Sequence, residues 1–478
     1  MILIYDFEYL ATGDFPKLII IGSGPAGITL SKKLADKGVA SLILEAGGLD
    51  WTEKAQETCK GEVIGDKYWD LEYSRLKYFG GTSNHWSGRC RHLEEEDFQK
   101  RSDIEGYIGW PINKGTLLPF MAETNQILEL PTLRERNIDP YLKEVEFGFS
   151  KPVRFGQKYL NFFKNSKLAN VCLNSYVLST GAMNGRINNI TVTGPDGSSI
   201  NIKPENVVFC LGGIDNSRIL LWSNETSLEP VVKNTEALGK YWFEHPHNMS
   251  GETVEYEQHD IYSHQHSGVA FFSLTSKAMH EFGILNACLR LRRKYTTYTG
   301  LLRTAYTTFC RSKLINDLSG DMCTSAIEVV WEQEPRAQNK VELSTNERDG
   351  YGVPRPILHW EKSKLDYRTA KVMMELYGRY LAVYGFGAVK SFDHVIEAVY
   401  HPPSAWMAGH HHMGGTRMAE NSKLGVVDRN SKIFGLDNGF ILGSSVFPTG
   451  GHANPTYTIV QLALRLGEHL ATALTNQR

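Results

Sequence analysis

The chain lacks what would place it in a membrane, on nucleic acid or in an oxidising compartment. No apolar run is long enough to span a bilayer. No charge dominates: 51 Lys and Arg face 53 Asp and Glu, so nothing points to a polyanion or an anionic membrane surface. The seven cysteines (Cys59, Cys90, Cys172, Cys210, Cys288, Cys310 and Cys323) are scattered and form no C-x-x-C. That excludes a disulfide framework and a zinc site as readings, and no metal is expected. Internal repeats, low-complexity tracts and a second nucleotide fingerprint are also missing. The first sixteen residues have no basic region followed by an apolar core, so the expected location is cytoplasmic. At 478 residues the chain can bury a large core and is expected to form two or more domains.

What the chain does have starts at Leu18-Ile19-Ile20-Ile21, an unbroken apolar run of the kind buried on both faces of a parallel sheet. It leads into Gly22-Ser23-Gly24-Pro25-Ala26-Gly27 and a helical pattern through Lys37. Gly22 permits a tight turn, Gly24 a close approach of backbone to a pyrophosphate, and Gly27 close helix–strand packing. The helix start offers unpaired N–H groups and a positive dipole end. A second apolar run, Ser41 to Leu44, ends on Glu45, a carboxylate placed for ribose hydroxyls, with Ala46 beside it. A glycine turn alone is weak, but strand, loop, helix, strand and acid in this order predict a nucleotide site.

Further along, Gly80-Gly81-Thr82-Ser83-Asn84-His85-Trp86-Ser87 reads as a loop able to lie flat against a planar ligand. Cys172 to Val177 reads as a strand and Arg186 to Val192 alternates like half of a hairpin. Asn206 to Leu211 reads as another buried strand, followed by a helix capped by Asp215 or Asn216. Strand-like runs between 246 and 345 predict an antiparallel sheet, and 363–385 an amphipathic helix. Near the end, Trp406 to Met418 sets His410, His411 and His412 beside a glycine turn. Gly439 to Ser445 is a strand ending in small residues, and Asn454-Pro455-Thr456 is a strong helix start.

Assembled, these residues resemble the glucose–methanol–choline (GMC) family of flavoprotein oxidoreductases over nearly the whole length. The specific signals are His412-Met413-Gly414-Gly415-Thr416-Arg417-Met418 and Phe447 to Thr456; the Gly80–Trp86 loop is similar to that of pyranose oxidases. The resemblance implies an α/β, Rossmann-like FAD domain of the glutathione-reductase type and a substrate domain built on an antiparallel sheet. The expected division is 1–100, 155–240 and 405–478 for FAD, and 101–154 and 241–404 for substrate. It implies FAD contacts from Gly22, Ser23, Gly24, Pro25, Ala26, Glu45, Ala46, Gly81, Thr82, Asn84, His85, Trp86, Ser87, Val177, Ser444, Ser445 and Thr456. His412 is the implied catalytic base, with His411 as the fallback, and Asn454 is the second member of the pair. His85 stands where pyranose oxidases bond flavin covalently; packing against the dimethylbenzene edge is its other reading. Gly443-Ser444-Ser445 departs from the family's usual Asp-Ala-Ser.

Read as chemistry, a neutral imidazole suits removal of a hydroxyl proton while hydride passes to flavin N5. Asn454 would orient the alcohol. The expectation is an FAD-dependent oxidase or dehydrogenase acting on CH–OH, with a sugar or polyol favoured and the electron acceptor (oxygen, quinone or protein) open. A GMC-fold lyase and a non-redox FAD-binding protein are the alternatives. Taken singly, His412 also reads as a packed histidine and Asn454 as a helix cap. His452, His245 and His247 read as supporting residues, and Glu332 and Gln333 as facing either solvent or the pocket.

Overall fold

The computed structural model describes residues 4–233, 236–256, 269–293, 322–397 and 408–475. The sequence also predicts a short strand from Ile2 to Tyr5; its start, the pair Trp406-Met407, Cys310 and the 404/405 boundary lie outside the described residues.

The apolar runs named above assemble into a six-stranded sheet. Its order is Ile4–Tyr5, Ala169–Cys172, Ser41–Leu44, Leu18–Ile21, Asn206–Phe209, Gly439–Ile441. Every neighbouring pair is parallel. Ile19, Ile20, Leu42, Ile43, Val207 and Val208 are fully buried, as strands covered on both faces require. Helix Pro25–Asp36 follows the first long strand with Gly24 at its N-cap and Pro25 in its first turn. Gly27 is indispensable there: a Cβ would lie 2.0 Å from the Gly22 carbonyl oxygen. The C-terminal helix, Thr456–Thr475, packs against this helix.

Two sequence readings change in detail. Cys172 to Val177 is not one strand: Ala169–Cys172 joins the parallel sheet, whereas Tyr176–Met183 opens a separate three-stranded antiparallel sheet. Between them Asn174 adopts φ +50°, a left-handed turn that asparagine tolerates. The helix after Phe209 begins at Gly212, before either expected cap. Asp215 therefore sits inside its first turn, paired with Arg75 and Lys77 at 2.9 and 3.2 Å.

A second, seven-stranded sheet is antiparallel throughout. Its order is Gly387–Ser391, His247–Tyr256, Met322–Trp331, Ala287–Arg293, Val269–Leu274, Leu142–Val145, Glu135–Asn137. Helix Lys364–Val383 covers it, started by a Ser363/Asp366 capping box, and its Met373, Met374, Tyr377 and Leu381 fill the core with Phe272, Leu289 and Trp331. The molecule thus joins a parallel nucleotide-type sheet to an antiparallel one.

Candidate active site

The carboxyl ends of the parallel strands converge on one cavity of about 640 Å³. Leu18–Ile21 lies between Ser41–Leu44, reached through the Pro25–Asp36 crossover, and Asn206–Phe209, which returns from far along the chain, a topological switch point where ligands bind. From it come Gly22, Ser23, Gly24, Pro25 and Ala26; from Ser41–Leu44 come Glu45 and Ala46. Cys210 to Gly213 enter from the third strand, and Gly443 and Ser444 from the last. Three of these glycines form a cradle: a Cβ at Gly24, Gly212 or Gly443 would meet no protein atom within 4 Å, so it would project into open space.

Glu45 is tied down inside the first loop. One oxygen accepts from the Ser23 N–H and hydroxyl at 3.0 and 2.6 Å, the other from the Gly47 N–H at 3.1 Å. Gly81, Thr82, His85, Trp86 and Ser87 also line the cavity, with Thr456 and Asn454 at its far end. Three expected contacts stand apart. Asn84 turns its amide onto the Phe79 carbonyl at 2.9 Å. Ser445 is fully buried and accepts from Asn216 at 2.8 Å. Val177 lines a small adjoining cleft with Ile21, Leu44 and Ala46.

The histidine run divides three ways. His410 takes φ +57° and faces Trp69 at a ring separation of 5.6 Å. His411 and His412 then meet different partners. His411 Nε2 stands 3.1 Å from the Asn454 side-chain nitrogen and its Nδ1 2.9 Å from His245 Nδ1. His412 Nε2 stands 3.0 Å from the Tyr68 hydroxyl, beside Trp242. Burial holds both imidazoles well below the usual histidine range, with neighbouring histidines adding for His411 and Arg75 for His412. Both are therefore neutral near pH 7 and both line the cavity. Their segment is held in place by the isolated bridge between Met413 and Phe243 and by Ser444, whose hydroxyl donates to the His412 carbonyl at 2.6 Å.

Supporting residues complete the frame. Glu332 and Gln333 face neither solvent nor cavity. Glu332 accepts from the Gly450 and Gly451 N–H groups, and Gln333 accepts from the Glu244 N–H and the Trp360 indole. His452 is buried between Ser273 and Glu94, at 2.8 and 3.2 Å, whereas His247 lines the cavity. Sequence reasoning missed Arg75, Lys77 and Asp215 on the cavity wall and Tyr68 behind His412. They lie in, or pair with, a mixed polar stretch that carries no periodic or motif signal.

With this geometry in view, the C-terminal part can be placed. Residues 335–463 match the family model described as GMC oxidoreductase. Over those residues the chain is similar to the GMC oxidoreductases. Among relatives, 2-methyl-1,2-propanediol dehydrogenase of Mycolicibacterium austroafricanum is 21% identical over 96% of both chains. A C-glycoside 3-oxidase of Microbacterium trichothecenolyticum is 29% identical, over 29% of this chain and 26% of its own. Among solved structures, pyridoxine 4-oxidase from Mesorbium loti superposes with a TM-score of 0.59 at 14% identity, covering 95% of this chain and 99% of that one. A formate oxidase variant from Aspergillus oryzae RIB40 gives 0.56 at 15%, covering 97% and 99%. Those structural likenesses establish the fold.

Proposed function

We propose that this chain is a GMC oxidoreductase that binds FAD in the cavity and oxidises a CH–OH group of a small alcohol, a sugar or polyol by preference. One observation carries the reading: the glycine loop Gly22–Ala26 and the cluster His411, His412 and Asn454 line the same cavity. The site fits an extended flavin nucleotide. The cradle of Gly24, Gly212 and Gly443 leaves room for a ligand against backbone, and the Val177 cleft adjoins it through Ala46 and Lys77. FAD, when bound, supplies N5 as the acceptor of a hydride from the carbinol carbon.

The chain's own residues supply binding, orientation and the proton step. Arg75 and Lys77 line the cavity and suit phosphate or ribose oxygens. The N-terminus of the Thr456–Thr475 helix opens onto it, favouring negative charge there. His412 is the proposed base: Tyr68 engages Nε2, and Nδ1 has no protein partner among the described residues. Asn454 and His411, already paired, hold the alcohol oxygen. Residues 1–100, 155–240 and 405–478 are the proposed FAD domain, and 101–154 with 241–404 the substrate domain. His85 is exposed at the cavity rim, which suits either a covalent bond to the flavin or a packing role. Among the described residues no helix is long and apolar enough to cross a membrane.

The diol dehydrogenase and the glycoside oxidase named above support the CH–OH assignment by relationship. The test is a panel of sugars, polyols and simple alcohols added anaerobically to the yellow protein. Bleaching of the flavin by at least one of them is expected; no bleaching by any alcohol would favour a lyase or a non-redox FAD protein. Repeating the reaction with oxygen, a quinone or a redox protein identifies the acceptor.

A further inference from the structure

Behind His412 lies a buried acid that no motif marks. Tyr68 stands between Trp360 and Trp242, at ring separations of 5.0 and 6.1 Å. Its hydroxyl is 3.0 Å from His412 Nε2 and 2.5 Å from Glu244 Oε1. Glu244 is 0% exposed. Its Oε1 also accepts from the His411 N–H at 2.8 Å, and its Oε2 from the N–H groups of His245 at 2.8 Å and Gly409 at 3.3 Å. With four donors on two oxygens, the carboxylate is the acceptor and Tyr68 donates to it. The Tyr68 oxygen can then accept from Nε2–H of His412, which leaves Nδ1 of His412 as the proton acceptor on the cavity side.

A charged His412 would be costly in this setting. The imidazolium would be buried, facing Arg75 from the neighbouring segment and His410 from its own segment, with Asp215 as the one opposing charge. No such cation is needed if the proton moves on. We propose that Glu244, acting through Tyr68, receives the proton that His412 takes from the substrate; this rests on the function proposed above. As the substrate O–H breaks, Nδ1–H of His412 forms. Nε2–H breaks and a Tyr68 O–H forms, and the original Tyr68 O–H breaks as Glu244 Oε1–H forms. Three bonds to hydrogen break and three form. His412 and Tyr68 end neutral, Glu244 ends as the acid, and its negative charge leaves with the hydride. Burial already pushes Glu244 up to about 7 against its four donors, so the acid form is accessible at working pH. Among the described residues, the hydrogen-bond donors to the Glu244 side chain besides Tyr68 are the backbone N–H groups of His245, Gly409 and His411. Glu244 and Tyr68 are positioning and relay residues, since neither touches the substrate.

The experiment uses FAD-loaded wild type, Tyr68→Phe and Glu244→Gln with an alcohol that the panel identifies. Tyr68→Phe leaves the three backbone contacts of Glu244 intact, so it tests the relay even where Glu244→Gln fails to fold. The anaerobic flavin-reduction rate should rise with pH through about 7 in wild type. Each variant should lose about 10- to 100-fold of that rate and the inflection with it, while KM and FAD content change less than about threefold. Independently of turnover, the ¹⁵N shifts of His412 at pH 8 should report protonated Nε2 in wild type and a tautomer mixture in Tyr68→Phe. Unchanged rates in Tyr68→Phe, an inflection retained in Glu244→Gln, or protonated Nδ1 in wild type would overturn the relay. A wild type that bleaches with no alcohol would instead sink the proposed function, while the ¹⁵N result still decides the tautomer.

Discussion

The side-chain amide of Asn454 lies 3.1 Å from Nε2 of His411, although the C-terminal signature singles out His412. Two neutral imidazoles thus share one cavity with different partners: His411 between Asn454 and His245, His412 against Tyr68. Their partners suggest different work, and single substitutions separate them.

Replacing His412 by Ala should lower the anaerobic rate of flavin reduction by about 10²- to 10⁴-fold while FAD stays bound. His411→Ala should mainly raise KM, because it removes a group that holds the alcohol and Asn454. Stopped-flow reduction across substrate concentrations checks both. The reverse pattern would make His411 the base.

Gly24→Ala should separate folding from cofactor binding. The added methyl meets no protein atom within 4 Å, so the thermal midpoint of the cofactor-free protein should stay within about one degree of wild type. It would project into the space proposed for the pyrophosphate, so FAD affinity should fall at least tenfold. Equal FAD affinity, measured by fluorescence titration, would put the cofactor elsewhere.

Acid precipitation decides the state of His85. A covalent bond predicts a yellow pellet that His85→Ala abolishes. Flavin wholly in the supernatant shows that His85 only packs beside the ring.

His245 makes stability depend on pH. Burial holds its imidazole at about 3, far below its value in the unfolded chain. A lowered pKa contributes stability that is complete above the unfolded value of about 6.5 and lost as pH falls toward the folded one. Wild type should therefore lose up to about 1.4 kcal/mol per pH unit relative to His245→Gln between about pH 6 and pH 4. Thermal midpoints of both proteins across that range test it; parallel curves would show that His245 is already charged in the fold.

Much was legible because it is local. The four-residue apolar runs, the glycine turn and Glu45 carry their own backbone physics, so strand, loop and helix follow from their order. The Ser363 capping box and the apolar spacing of 364–383 mark a helix without reference to anything distant. Other readings failed at junctions. Cys172 to Val177 has strand propensity throughout, yet Asn174 turns the chain from one sheet to another. Gly212 starts its helix early because a preceding strand delivers it there, and this frees Asp215 for Arg75 and Lys77.

By itself, the sequence determined which residue types gather around the proposed cofactor site: the glycines that admit a ligand to backbone, the histidine run and Asn454. Only the tertiary structure decided which histidine meets which partner. That choice depends on where Tyr68, Glu244 and His245 arrive from far along the chain. Pairings between residues 166 to 344 positions apart leave no periodic trace, because spacing records local geometry while hydrogen bonds are closed by packing.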